Sequence, residues 1–223
     1  MRPRLLAVGA LAAAVTTAAL VSGCGSGDDW SRPHPKPSAV GSLGPGFWPA
    51  ESPAPEATIT PRTGSWNGVR PSEGYRVVLL TAGKEAQTTT LVNAVTKWAE
   101  EQDVSIRTIE ATAPDQYVPS IVRAIDMAPD LIISAGNDLI DPLALVTASH
   151  LAQQFLVVGA ELAEPTENVT AADWTGASFR GEGLGMSSAY DPATFTPERA
   201  DRAIRAGVAA VLNGRTGIVI WLD

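Results

Sequence analysis

The sequence predicts an α/β domain: a single doubly wound, mostly parallel sheet of about six strands with helices on both faces. Three observations carry that expectation. Short runs that are apolar almost throughout, such as Arg76–Thr81 and Ile218–Leu222, have the composition of strands buried on both faces. Between them lie longer segments whose apolar positions recur three and four residues apart, the spacing of an amphipathic helix. The two patterns alternate from Tyr75 to Asp223, as they do when crossover helices join parallel strands.

The elements follow in order. Arg76–Thr81 is the first strand. A helix over 86–102 places Leu91, Val95 and Trp98 on one stripe, flanked by Val92 and Ala99. Val104–Glu110 is the second strand. Asp115 is placed to cap a helix in which Tyr117, Ile121 and Ile125 share a face with Val118 and Val122, with Pro119 in the first turn. Asp130–Ser134 is the third strand, and Asp141-Pro142 reads as N-cap and first residue of a helix to about Gln153. Phe155–Gly159 is the fourth strand and Val169–Trp174 a weaker fifth. Ser178–Ala189 is expected to be helical despite Gly181, Gly183 and Gly185. Thr196-Pro197-Glu198 opens a last helix with cap, proline and acid in order. Ile204, Val208 and Val211 form its buried face, and Asn213-Gly214 ends it. Ile218–Leu222 closes the sheet.

The residues before this domain differ in composition. Nine of the 17 prolines lie in residues 25–73. Such a segment buries too little apolar surface to offset its ordering entropy, so residues 24–73 read as an extended tether and 74–223 as the domain. Trp30, Trp48 and Trp66 exceed what a spacer needs, which leaves open packing of the Phe47–Trp66 stretch on the domain or on lipid.

The first residues are an export signal. Arg2 and Arg4 precede an apolar run from Leu5 to Leu20, too short to span a bilayer comfortably, and small residues follow. The junction Leu20-Val21-Ser22-Gly23-Cys24 resembles the bacterial lipobox, in which the cysteine is acylated and becomes the new N-terminus. That resemblance implies a signal peptide over 1–23 and a lipid, such as palmitate, on Cys24. It also implies a protein held at the extracytoplasmic face of the cell membrane. Cys24 is the single cysteine, so the chain has no internal disulfide. Without Arg2 and Arg4 the mature chain keeps 24 acidic against 14 basic residues, a balance that argues against a nucleic-acid partner.

Catalytic patterns are missing from the sequence. His34 lies in the tether and His150 late in a predicted helix, and no set of side chains has metal-ligand spacing. There is no Gly-x-Ser-x-Gly elbow. Ala82-Gly83-Lys84 follows a strand as a phosphate loop does, but Val78 stands in place of the first glycine and Glu85 follows the lysine. Neither a cofactor nor an enzymatic activity is expected. In parallel α/β sheets, ligands sit beyond the carboxyl ends of the strands. The polar residues there, Thr81, Lys84, Gln87, Asn137, Asp138, Glu161 and Asp173, are the candidate ligand-binding set.

The order of segments resembles the basic membrane protein family, the nucleoside-type substrate-binding lipoproteins of ABC importers. The resemblance rests on Arg76–Thr81 with its polar loop, Tyr117–Ile121, Pro129–Gly136, Phe155–Gly159 with Asn168-Val169-Thr170, and Phe179–Gly185. It implies one lobe of a type I periplasmic-binding-protein-like fold, a small nucleoside-like ligand, and an ABC permease or a second lobe-like chain as partner. The family's first loop carries an aspartate and an aromatic residue, whereas this loop reads Ala82-Gly83-Lys84-Glu85-Ala86-Gln87-Thr88. That departure keeps a second reading open: a non-catalytic surface lipoprotein that has lost its ligand and contacts a protein or cell-wall partner.

Overall fold

The structure, a computed structural model, describes residues 29–177 and 179–223. The expected signal peptide and Cys24 lie outside them. The chain divides into a unit ending at Ser31 and a unit over Arg32–Asp223, and the second carries the fold.

Its centre is a seven-stranded sheet in which every neighbouring pair is parallel. Chain order gives β1 (Ala39–Val40), β2 (Thr58–Ile59), β3 (Arg70–Pro71), β4 (Arg76–Ala82), β5 (Ser105–Ala111), β6 (Leu131–Ala135), β7 (Phe155–Val158), β8 (Val169–Asp173) and β9 (Val219–Trp221). The sheet order is β2-β9-β8-β7-β6-β4-β5, and β1 pairs with β3 apart from it. The helices are α1 (Ala86–Glu101), α2 (Tyr117–Asp126), α3 (Ile140–Thr147) and α4 (Pro197–Leu212).

Every residue of β4, β6, β7 and β8 is buried, as the unbroken apolar runs require. On one face Leu79, Ile133, Leu156 and Ile220 meet Leu91, Val95 and Trp98 of α1 and Ile204 and Val208 of α4. Gly207 lets α4 lie directly on Leu156, where a methyl group would collide. The other face is covered by α2, which packs on β4 and β5, and by its neighbour α3. The helix α4 starts as its sequence dictates, with Thr196 accepting from Arg199 N at 3.3 Å and Pro197 in the first turn.

Four expectations are corrected. The compact unit begins at Arg32 rather than at residue 74. Phe47 and Trp66 are 1% and 3% exposed, β2 adds a seventh strand beside β9, and turns at Gly41 and Gly46 fold the segment back. Next, residues 179–189 form no helix. Gly181 and Gly183 adopt φ of +123° and +74°, which interrupts helical hydrogen bonding. Ser178 lies outside the described residues. Asp115 caps nothing: Pro114–Gln116 form a 3₁₀ turn, and Val118 and Val122 face solvent. Last, α3 ends at Thr147, with Leu139 rather than Asp141 at its N-cap. The turn after it is tied by the buried Asn168 side-chain amide, which donates to the carbonyls of Thr147, His150 and Gln153 at 3.2, 3.1 and 3.0 Å.

Candidate functional site

The chain leaves β4 for β5 on one side and returns to β6 on the other. The crevice between the ends of β4 and β6 is therefore the point where strand order reverses, the usual ligand position in open parallel sheets. Two glycines shape it. Gly83 follows β4 at φ +78°, and a Cβ there would strike the Glu85 carboxylate and lie 2.9 Å from Oδ2 of Asp138. Gly136 follows β6 at φ +105°, and a Cβ there would lie 2.9 Å from Oγ1 of Thr88 on α1. Both loops thus approach as closely as glycine permits.

Beside this crevice, on the β6 side, a cavity of about 390 Å³ is lined by Tyr117, Asn137, Asp138, Asp141, Phe179 and Glu182 among others. Tyr117 comes from the first turn of α2, Asn137 and Asp138 from the loop after β6, and Asp141 from the first turn of α3. Phe179 and Glu182 belong to a strap over residues 179–190 that crosses this edge of the sheet. The strap is fastened at several points. Glu161 N donates to Phe179 O at 2.9 Å, and the Glu182 amide donates to both Asp141 oxygens at 3.3 and 3.1 Å. Ser187 donates to the buried Glu161 carboxylate, which also lies 3.7 Å from Arg180. The neck of the strap closes on Gly176, which donates to Ser188 Oγ at 2.8 Å and accepts from Asp191 N at 2.7 Å. A loop with joined ends and a long excursion is the Ω form common at binding sites.

The electrostatics follow from this placement. Burial, and then the neighbouring charge of Glu85, push the Asp138 carboxyl above its ordinary value. Burial, followed by the charges of Asp138 and Glu85, raises the Tyr117 hydroxyl. Tyr190 is raised by burial and by Glu85, against a lowering hydrogen bond from Gln87. Its ring stands 5.9 Å from Phe195, which meets the buried Trp174 edge-on at 5.1 Å. This aromatic group packs over Gly159, where a Cβ would lie 2.9 Å from Phe195 and 3.2 Å from Trp174.

The sequence-derived candidates separate into three groups. Asn137 and Asp138 line the cavity. Gln87 hydrogen-bonds Tyr190 instead. The others stand elsewhere. Thr81 is buried and donates to Ala135 O at 3.3 Å. Thr81 and Lys84 border a separate hollow of about 240 Å³ beside Glu110, and the Lys84 ammonium lies 3.9 Å from the Glu110 carboxylate. Glu161 holds the strap. Asp173 accepts from Trp174 N at 2.8 Å and sits wholly buried at the end of β8. Tyr117, Asp141, Phe179 and Glu182 line the cavity without having been assigned to it from the sequence, and Glu85 stands beside Asp138 near Gly83. The place of Tyr117, just after the end of β5, is the one signal that pointed there.

A larger groove, about 430 Å³, runs between α1 and α4 past Asn93, Lys97, Glu198 and Asp201. It is a furrow between helices in which Lys97 lies 3.7 Å from Glu101 and Asp201 2.9 Å from Arg205, away from the carboxyl ends of the strands, so the strand-end cavity is the better site. Among the described residues, no group of three or more His, Cys, Asp or Glu side chains is arranged to hold a metal ion. His34 and His150 bind Asp130 and Val146 O, away from the cavity. No described helix is long and apolar enough to cross a membrane. Asn168-Val169-Thr170 spells a glycosylation sequon, but the Asn168 side chain is 0% exposed and holds the turn after α3.

No protein-family model matches the chain, and no curated protein matches it significantly. Among solved structures it is similar to a fragment described as a lipoprotein from Peptoclostridium difficile 630, at 17% identity and a TM-score of 0.46, over 62% of this chain and 98% of that one. It is also similar to an ABC transporter solute-binding protein from Aeropyrum pernix K1, at 19% identity and a TM-score of 0.42, over 46% of this chain and 29% of that one. A third, an ABC transporter solute-binding protein from Conexibacter woesei DSM 14684, matches at 17% identity and a TM-score of 0.38, over 66% and 54% of the two chains. The chain thus spans about half or less of these two solute-binding proteins. Likeness at this level assigns no function.

Proposed function

We propose that this protein is a non-catalytic binding lipoprotein, anchored through Cys24, that takes a small polar ligand at the strand-order switch of its sheet. The observation that carries the reading is the cavity beyond the carboxyl end of β6, where side chains from the start of α2, the β6–α3 connection and the strap converge. The export signal and the junction before Cys24 support the anchor. The family resemblance makes a nucleoside-like ligand the first class to test, and an ABC permease or a second lobe-like chain the partner that completes the cleft. A second reading, a surface lipoprotein that docks a protein partner, is favoured by Leu184 and Met186, which are 51% and 46% exposed on the strap.

The test is a thermal-shift screen of residues 25–223 against nucleosides, sugars, amino acids and amines. A ligand at 100 times its Kd adds about 2.7 kcal/mol, a readily visible shift. A saturable shift that disappears in Asn137→Ala supports the binding reading, and a folded sample with no shift turns the search to a protein partner. Incorporation of labelled palmitate into the full chain, lost in Cys24→Ala, tests the anchor.

A further inference from the structure

The site proposed above stands on the strand-order switch and the cavity. Its charge and its walls then bear on what it accepts. Three acids, Asp138, Asp141 and Glu182, line the cavity, and no basic residue does. A fourth acid, Glu85, bends over Gly83 toward Asp138, so that two carboxylates overhang one backbone atom. The nearby cations are committed elsewhere. Lys84 points outward to Glu110, and Arg180 donates to Ala163 O and lies against Glu161. The lining also carries two aromatic side chains, Tyr117 from the start of α2 and Phe179 from the strap.

We infer that the ligand is a small organic cation, an alkyl-ammonium group received between Asp138 and Glu85 with the Tyr117 and Phe179 rings as walls. An anion or phosphate would enter a field of uncompensated carboxylates and meet no donor of positive charge. A neutral nucleoside could hydrogen-bond Asn137 but would leave the Asp138–Glu85 repulsion standing. A hydrated metal ion gains little from ring walls, and the acids do not form a coordinating set of three. An ammonium group on a carbon frame satisfies both features at once, because carboxylates neutralise it and ring faces attract it. This inference rests on the binding reading and names the ligand class of the same cavity.

The experiment measures melting of residues 25–223 with choline, putrescine, 3,3-dimethylbutanol (the neutral isostere of choline), uridine, ribose and calcium chloride. The expected result is a saturable shift with choline or putrescine and none with the neutral isostere. Affinity should fall tenfold or more in Asp138→Asn and in Glu85→Gln, with near-UV circular dichroism reporting that both variants keep the native fold. Shifts with uridine or ribose alone overturn the cation class and leave the binding reading intact. A cation shift that survives both substitutions, or that calcium reproduces, overturns it as a general effect of an acidic surface. A folded sample that responds to none of the probes overturns the cation class and counts against the binding reading as well.

Discussion

Nε2 of His34 lies 2.8 and 2.9 Å from the two carboxylate oxygens of Asp130, joining residues 96 positions apart. Asp130 stands at the start of β6, only 8% exposed in its side chain, and also accepts the Arg76 amide at 2.8 Å. The guanidinium of Arg76 in turn donates to Arg32 O at 3.0 Å. A stretch of Arg, His, Lys and Pro that looks like solvent-exposed linker is therefore clipped to the amino-terminal edge of the sheet, opposite the candidate site.

Replacing His34 with Ala should cost about 1 kcal/mol, the net worth of one such bond, because Asp130 keeps the Arg76 amide. Urea unfolding reads this as a lower midpoint with an unchanged slope. Protease cleavage between Arg32 and Ala39 should quicken in the same variant. An unchanged midpoint together with unchanged cleavage would show that the clip contributes nothing in solution.

Asn168 is the residue whose loss should be felt most. Its amide nitrogen reaches three carbonyls at the end of α3 and in the following turn, those of Thr147, His150 and Gln153, and its oxygen accepts from Thr166 at 2.6 Å. Asn168→Ala strips the turn of this shared donor and empties a fully buried position, although Thr147 O and His150 O keep the amides of His150 and Gln153, so the cost should be about 2 kcal/mol. Asn168→Asp should cost a similar amount, since a carboxylate repels the same oxygens. A midpoint within about 0.5 kcal/mol of the parent, the range of an ordinary surface change, would sink this account.

How far the fold was legible depends on the reach of the signal. Strands such as Leu131–Ala135 announce themselves because both faces are buried and every residue must be apolar or small. The cap at Thr196 is equally local. The stretch over 179–189 was expected to be helical despite its three glycines, but Gly181 takes a positive φ and sits where a Cβ would lie 2.6 Å from Asp141. That seat lies 40 residues away and leaves no local trace. The same holds for the site. Asn137 and Asp138 were visible because they follow a strand, but Glu85, Tyr117 and Phe179 meet Asp138 only through the crossover of β5 and the return of the strap. Trp66 read as linker because its burial comes from chain that is distant in sequence.

Gly159 offers a test of the aromatic group. The end of β7 turns at φ +74°, and Leu91, Trp174 and Phe195 close on the space a side chain would need. Gly159→Ala combines a strained backbone with overpacking, which together should cost about 2 kcal/mol. It should also alter the near-UV signal of Trp174 by displacing the Phe195 ring, and with it Tyr190. A variant of parental stability and spectrum would mean that the packing at this turn is looser than described.

The last prediction concerns pH. Burial and the charge of Glu85 hold the Asp138 carboxyl above its ordinary value. A carboxyl whose pKa is higher in the folded state binds its proton more tightly there, so in that window the native state carries more protons than the unfolded chain. Stability contributed by this group then falls as pH rises through the window and returns as pH drops. Asp138→Asn removes the charge permanently. It should raise the urea midpoint at pH 7, and its advantage should shrink toward zero near pH 3, where the parent carboxyl is protonated in both states. Cation binding runs the opposite way, since it needs the ionised carboxylate. Choline or putrescine affinity should weaken as pH falls through the same window in the parent, with a much shallower dependence in Asp138→Asn. If the variant's advantage is as large at pH 3 as at pH 7, Asp138 is not in a repulsive site, and the crowding of carboxylates over Gly83 has no energetic consequence.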